Sequence, residues 1–225
     1  MSGGAFMNKT PYDDGGVEYL VEGASFVGSA GIPELMAFDD YQIPNALLPI
    51  ERMNITKDKR QFLHFYQHDK SIRKFIVSAP RYLYKIQEFD GIISPDYTLA
   101  IGQSRCIQES NVYYNRAVGY FYQRHGVPVI PNARWADKET FDFCFLGIPK
   151  NQIVCVSTLG CIHSKEQKRL FREGLDAMLH ELQPTDVLVH GVMPDTVFGQ
   201  YTDQVDFHRY PSHIEEVFGV EKEEY

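Results

Sequence analysis

The chain lacks any apolar run approaching the roughly 20 residues that a helix needs to cross a bilayer. Residues 1–31 contain no basic stretch followed by an apolar one, so no secretory leader is read there. Cysteine is sparse and irregularly spaced, at Cys106, Cys144, Cys155 and Cys161. That excludes a disulfide framework and points to reduced thiols in a cytoplasmic protein. Cys155, Cys161 and His163 lack the spacing of a zinc site, so no metal is expected. An excess of positive charge is also missing: 22 Lys and Arg stand against 30 Asp and Glu, for a formal net charge of −8. Non-specific duplex DNA binding needs clustered cations to displace counterions. The basic groups here (Lys57, Lys59 and Arg60; Lys70, Arg73 and Lys74; Lys165, Lys168, Arg169 and Arg172) read as solvated surface. Such binding is therefore disfavoured, whereas a local pocket for one nucleotide is compatible with the charge. The chain has no phosphate loop, dinucleotide glycine fingerprint, nucleophile elbow or HExxH motif, so the sequence assigns neither a reaction nor a cofactor.

What is present is a regular alternation. At 225 residues the chain can build one sizeable core. Short apolar runs at residues 33–38, 62–66, 91–94, 127–130, 153–157 and 187–189 read as strands. Between them, helices are expected at residues 80–89, 107–125, 137–146 and 164–182, the last opened by a Ser164/Gln167 capping box. Strands separated by helices are the mark of parallel crossover units. The expected fold is α/β, repeated strand–helix units forming a parallel sheet that curls into a partial or TIM-like barrel. A doubly wound open sheet is the alternative. Residues 1–31 read as a flexible arm, 32–213 as a single α/β domain, and 214–225 as an acidic tail.

In either architecture a ligand sits beyond the carboxyl ends of the strands. The residues following each expected strand are therefore candidates: Asp39 and Asp40; His64, Tyr66, His68 and Asp69; Asp96; Asn132, Arg134 and Trp135; Ser157 and Thr158; and His190. Asp96 follows Pro95 and an apolar strand, and suits a base or a polar anchor. Its alternative is an Asx turn. His190 suits a second acid/base group near neutrality, or a hydrogen-bonded structural histidine. Trp135, the single tryptophan, suits a stacking wall or packing beneath a loop. The candidate catalytic pair is thus Asp96 and His190, with Asn132, Arg134, Trp135, Ser157 and Thr158 binding a ligand.

The order of several segments resembles an uncharacterised family of bacterial and phage proteins catalogued as a domain of unknown function. The matching pieces are Asp90-Gly91-Ile92-Ile93-Ser94-Pro95-Asp96-Tyr97, Asn115-Arg116, and Gly126-Val127-Pro128-Val129-Ile130-Pro131 with Trp135. Further pieces are Phe141 with Gly147-Ile148-Pro149, Val156-Ser157-Thr158-Leu159-Gly160, and Val187-Leu188-Val189-His190-Gly191. The resemblance implies a phage or mobile-element setting, and adds Arg116 to the binding candidates, as a group reaching an anion or pairing with Asp96. A looser likeness is to barrel enzymes that exchange bases on tRNA, but their zinc cluster is missing here. The expected function is a polar pocket for a small-molecule ligand, a nucleotide or nucleobase, at the strand ends. The alternative is a non-catalytic phage accessory or anti-defence protein that binds and inhibits a host protein through its acidic surface.

Overall fold

In the computed structural model, residues 17–38, 42–212 and 215 are described. Among the described residues, seven parallel strands follow one another in space in the order they have in sequence. Numbering strands from the start of the chain, β3 (Leu47–Pro49), β4 (Phe62–His64), β5 (Gly91–Ile93) and β6 (Val129–Ile130) form one parallel sheet. β7 (Val154–Ser157), β8 (Asp186–His190) and β9 (Asp206–Tyr210) form a second. A parallel bridge between Asn132 and Cys155 joins them, carried by Ala133 N–H to Cys155 O and Cys155 N–H to Pro131 O, both 2.8 Å. The short β1 (Phe26–Val27) and β2 (Ile32–Pro33) pair only with each other, antiparallel.

Side chains alternate along these strands with period two. Leu63, Ile92 and Val129 enter one apolar cluster with the helices α1 (Asp69–Val77), α2 (Ala79–Ile86) and α3 (Arg105–Arg124). Val154, Val156, Val187 and Val189 pack in a second cluster with α4 (Lys165–Leu182) and α5 (Asp195–Phe198). The opposite strand faces meet in a third, where Phe62, Ile93, Ile130, Cys155, Leu188 and Tyr210 come from six consecutive parallel strands. The Tyr210 hydroxyl, at the end of β9, donates to Pro44 O, just ahead of β3, at 2.6 Å.

α4 shows how local signal and packing share the work. The Ser164/Gln167 capping box forms as expected, Gln167 N–H donating to Ser164 Oγ at 3.1 Å and Ser164 N–H to Gln167 Oε1 at 3.0 Å. A cap contributes about 1 kcal/mol. Leu175, Met178 and Leu182, at 0–1 % exposure, contribute about 1.5–3 kcal/mol each. Packing therefore holds the helix, and the cap sets where it starts. α3 ends where Gly126 takes φ 78°, a left-handed conformation that suits glycine.

Several expectations are corrected. Residues 33–38 do not join the parallel sheets. Leu35 N–H bonds to Gly147 O, and the Met36 backbone is held by the Gln123 amide, so this segment's hydrogen bonds are spent on loops and side chains. No α-helix runs from 137 to 146. Asp137 caps only a 3-10 turn, Lys138–Thr140, accepting from Glu139 N–H at 3.1 Å. Beyond it, Phe143 and Phe145 turn into the core, and the carbonyls of Cys144 and Leu146 are taken by Arg116. β3, β9 and α1 are additional to the expected elements. α1 buries Ile72, Phe75 and Ile76, and His68 stands at its N-cap. Within the expected arm, Leu20 is fully buried. Asp39, Asp40, residues 1–16 and most of the expected acidic tail lie outside the described residues.

Candidate functional site

The carboxyl ends of β4 to β8 bring a connected set of polar side chains together. Ser94, Pro95 and Asp96 continue directly from β5, and Pro131 to Trp135 from β6. Asn132 N–H donates to Ser94 Oγ at 2.8 Å, fixing the two strand ends against one another. Across that junction the Asn132 side-chain amide donates to Asp96 Oδ1 at 2.7 Å, and Arg134 Nη1 reaches Asp96 Oδ2 at 3.3 Å. The carboxylate thus accepts from side chains on the neighbouring strand's extension, not from the backbone of its own loop. The Asx-turn alternative is not the arrangement formed. The loop's own backbone is held by other groups. Asn115 on α3 accepts from Tyr97 N–H at 2.8 Å, and Asp69 on α1 accepts from Thr98 N–H at 3.2 Å.

Tyr66 ties this group to a second one. Its hydroxyl stands 2.9 Å from both Asn132 Oδ1 and Cys155 Sγ and donates its one proton to either. Its ring stacks on His190, with centroids 4.5 Å apart and planes at 18°, and His64 lies 4.6 Å from the same imidazole. Ser157 Oγ stands 3.1 Å from His190 Nδ1 and accepts from Leu159 N–H at 3.3 Å. Asp96, Asn132, Arg134, Ser157 and His190 are therefore members of one region, with Tyr66 as the link. Tyr66 stood among the strand-end candidates, but nothing in the sequence singles it out, because its contacts come from strands far along the chain.

Burial decides the electrostatics. Asp96 is 9 % exposed, and loss of water pushes its carboxyl above the usual range, while Arg134 and Asn132 pull it back. The Asp96 charge in turn raises Arg134. His190 is 2 % exposed, and burial lowers it to about 4, so the imidazole is neutral at pH 7. A neutral ring with that affinity for protons is not an acid near neutrality, so His190 fits positioning of Ser157 better than proton donation. Its Nε2 is buried without a hydrogen-bond partner, as is Arg134 Nε. Cys155 is driven up to about 12 by burial and is inert as a nucleophile.

A cleft of about 310 Å³ opens beside this network, between Thr98 after β5, Arg134 and Trp135 after β6, Ser157 at the end of β7, Cys161 after it, and Phe171 on α4. Trp135 is 8 % exposed. Its indole packs against Phe171 at 5.0 Å and against Gly174, where a Cβ would fall 2.1 Å from the indole nitrogen. It is thus a wall of the cleft, not a free stacking platform. Thr158 and Arg116 are placed differently. Thr158 Oγ1 donates to Val192 O at 2.8 Å, tying the loops after β7 and β8 together. Arg116, 2 % exposed, spends its guanidinium on the carbonyls of Leu146, Cys144 and Asn132 at 3.0, 2.8 and 3.2 Å. Arg116 makes no pair with Asp96, whose cation is Arg134. Among the described residues, no group of three or more His, Cys, Asp or Glu is arranged to hold a metal ion, and no helix is long and apolar enough to cross a membrane.

The family described as a domain of unknown function (DUF4417) matches residues 24–208, well over half of the chain. The chain belongs to this family. The segments that carry the sequence resemblance, from residue 90 to 191, all fall inside the DUF4417 match. The DUF4417 chain is also 36% identical over 129 residues to the Gene 1 protein of Mycobacterium phage L5, covering 57% of this chain and 56% of that protein. It is 37% identical over 129 residues to the Gene 1 protein of Mycobacterium phage D29, covering 57% and 48% respectively. The chain thus spans about half the length of the curated relatives it matches. No solved structure matches it.

Proposed function

We propose that the chain is a phage-associated or mobile-element protein that binds a small planar ligand of the nucleotide or nucleobase kind at the carboxyl ends of its parallel strands. The observation that carries this reading is Arg134, which lines a cleft walled by Trp135 and pairs behind that lining with Asp96, itself held by Asn132. A protein keeps a carboxylate and a guanidinium so far from water at a cost, and groups kept at a cost concentrate at binding and catalytic sites. A cleft of about 310 Å³ is at the small end of ligand pockets, and its mostly apolar lining with a few converging polar groups is typical of them. A carboxylate beside such a wall suits the exocyclic N–H of a base, and Arg134 and Ser157 supply orientation. In this reading Asp96 is the anchor or base, and His190 acts through Ser157.

We also read the strands as curling into a TIM-like barrel. Support comes from the sequential order of seven parallel strands, the cluster drawing on six of them, and the Tyr210–Pro44 hydrogen bond between the last strand and the approach to the first. The site then occupies the face where such barrels carry ligands.

The test is a thermal-shift panel of nucleobases, nucleosides and nucleotides on the full chain, alongside mass spectrometry of small molecules that co-purify with it. The expected result is a stabilising ligand whose effect is lost in Asp96→Asn. A ligand that stabilises wild type and Asp96→Asn equally would remove Asp96 from the site.

A further inference from the structure

Arg134 presents an imbalance that the surrounding protein does not resolve. It is the one charged side chain lining the cleft among the described residues. Asp96 engages it through Nη1 alone, at 3.3 Å, which is long for a charge-assisted bond. The Nε–H is buried without a hydrogen-bond partner, and the Cys161 thiol near the guanidinium is only a weak acceptor. A buried donor left unmade is costly, and in a folded protein it marks a missing partner. A guanidinium has five N–H groups in a rigid fork, and its Nε/Nη edge matches two oxygens of a carboxylate or phosphate side by side. Arg116, with the same side chain in the same core, spends its Nε and both Nη atoms on protein carbonyls.

We infer that the ligand of this cleft carries one oxyanion, which docks side-on to the Nε/Nη edge of Arg134 while its planar body lies against Trp135. A nucleoside monophosphate is the representative of that class. This inference rests on the proposed pocket and adds the charge of its occupant. It also sets a limit on that charge. Arg134 is shared with Asp96 and the chain carries a net charge of −8, so the unused Nε edge has room for one oxyanion and no second cation lines the cleft for a polyphosphate. Docking requires only that the guanidinium swing about its Asp96 contact so that the hidden Nε edge meets the incoming oxygens.

The test measures binding of the ribo- and deoxyribonucleosides, their 5′-monophosphates and inorganic phosphate to the full chain by titration calorimetry. At least one monophosphate is expected to bind at least about tenfold more tightly than its nucleoside, the gain of charge-assisted hydrogen bonds. Arg134→Met is expected to collapse that ratio to near one. Arg134→Lys, which keeps the charge without the fork, is expected to leave an intermediate ratio. Because the readout is a ratio within one protein, partial loss of folded material does not distort it. Should Arg134→Met fail to fold, the Asp96→Asn/Arg134→Met double variant removes both charges of the pair and serves in its place. Equal binding of nucleoside and monophosphate would overturn the oxyanion anchor and leave the planar pocket standing. A monophosphate preference that survives Arg134→Met would place the anion elsewhere and overturn the assignment. Phosphate alone binding as tightly as the monophosphate would overturn the role of the planar body. Binding by none of these probes would overturn both the pocket reading and this one.

Discussion

Arg116 on α3 and Arg134 beyond β6 both sit near the end of the same strand, and both are largely withdrawn from water. Around Arg116 every polar group is matched: the guanidinium meets three carbonyls, two of them from the aromatic segment before Gly147 and one from Asn132. Burial lowers it to about 10, which still leaves it charged at neutral pH. Around Arg134 the accounts stay open, with a long contact to a carboxylate, an unmet Nε–H and a cleft alongside. The first region is finished by folding, whereas the second is complete only with something added. What separates a structural arginine from a binding one is therefore not burial but how many of its donors the protein itself has used.

The sharpest attempt to break this comparison is Arg116→Met. It leaves three carbonyls without their donor, at about 1–3 kcal/mol for each that stays unsatisfied, so a stability loss of about 3 kcal/mol or more is expected in urea unfolding. A variant as stable as wild type would show that Arg116 is not the structural member of the pair.

Next in size is a pH effect from His190, whose neighbours are Ser157, Tyr66, His64 and, by its charge, Glu215. Its folded value of about 4 lies below the ordinary 6.5, so the unfolded chain binds more protons between those limits. Stability therefore falls as pH drops from about 6.5 to 4, by up to about 3 kcal/mol in all. His190→Asn should flatten that part of the stability–pH curve. An unchanged slope in the variant would mean that the imidazole is hydrated in solution.

Gly174→Ala tests the wall of the cleft. The new methyl would fall within 2.1–2.4 Å of the Trp135 ring, forcing the indole or α4 to shift. Overpacking of this kind costs about 1–3 kcal/mol, and tryptophan fluorescence should report the moved ring. Identical emission and stability would mean that the contact relaxes freely.

Asp96→Asn should have the smallest effect on stability and a large one on binding. An acid whose folded pKa is raised costs stability as pH climbs above its ordinary value, so removing the charge relieves a penalty at pH 7. The neutral amide keeps an acceptor for Asn132 but leaves Arg134 without its counter-charge, so the two effects oppose one another and the melting temperature is expected to change little. Affinity for the ligand should fall by about tenfold or more, as a charge-assisted contact is lost. A clear drop in melting temperature with unchanged affinity would return Asp96 to a purely structural role.

Much of this molecule was legible locally. The α/β class, five of the seven parallel strands, and both long helices follow from apolar periodicity, proline and glycine punctuation, and one capping box. These signals are local because caps and helix faces are satisfied within a few residues. The rule that sites lie at strand ends was also enough to gather Asp96, Asn132, Arg134, Ser157 and His190, which do share one region. Tertiary structure alone decided the remainder. β9, Asp-Phe-His-Arg-Tyr, has no apolar run to announce it and becomes a strand because β8 offers it a free edge. Residues 137–146 have the punctuation of a helix and do not form one, because Phe143 and Phe145 gain more from the core and Arg116 claims the carbonyls. The fates of Arg116 and Arg134 were equally invisible, since the acceptors that separate them lie 16 to 38 residues away along the chain. Sequence determines which groups a chain must satisfy. Which of them the folded protein leaves unsatisfied is settled only by long-range contacts, and that remainder marks the candidate site.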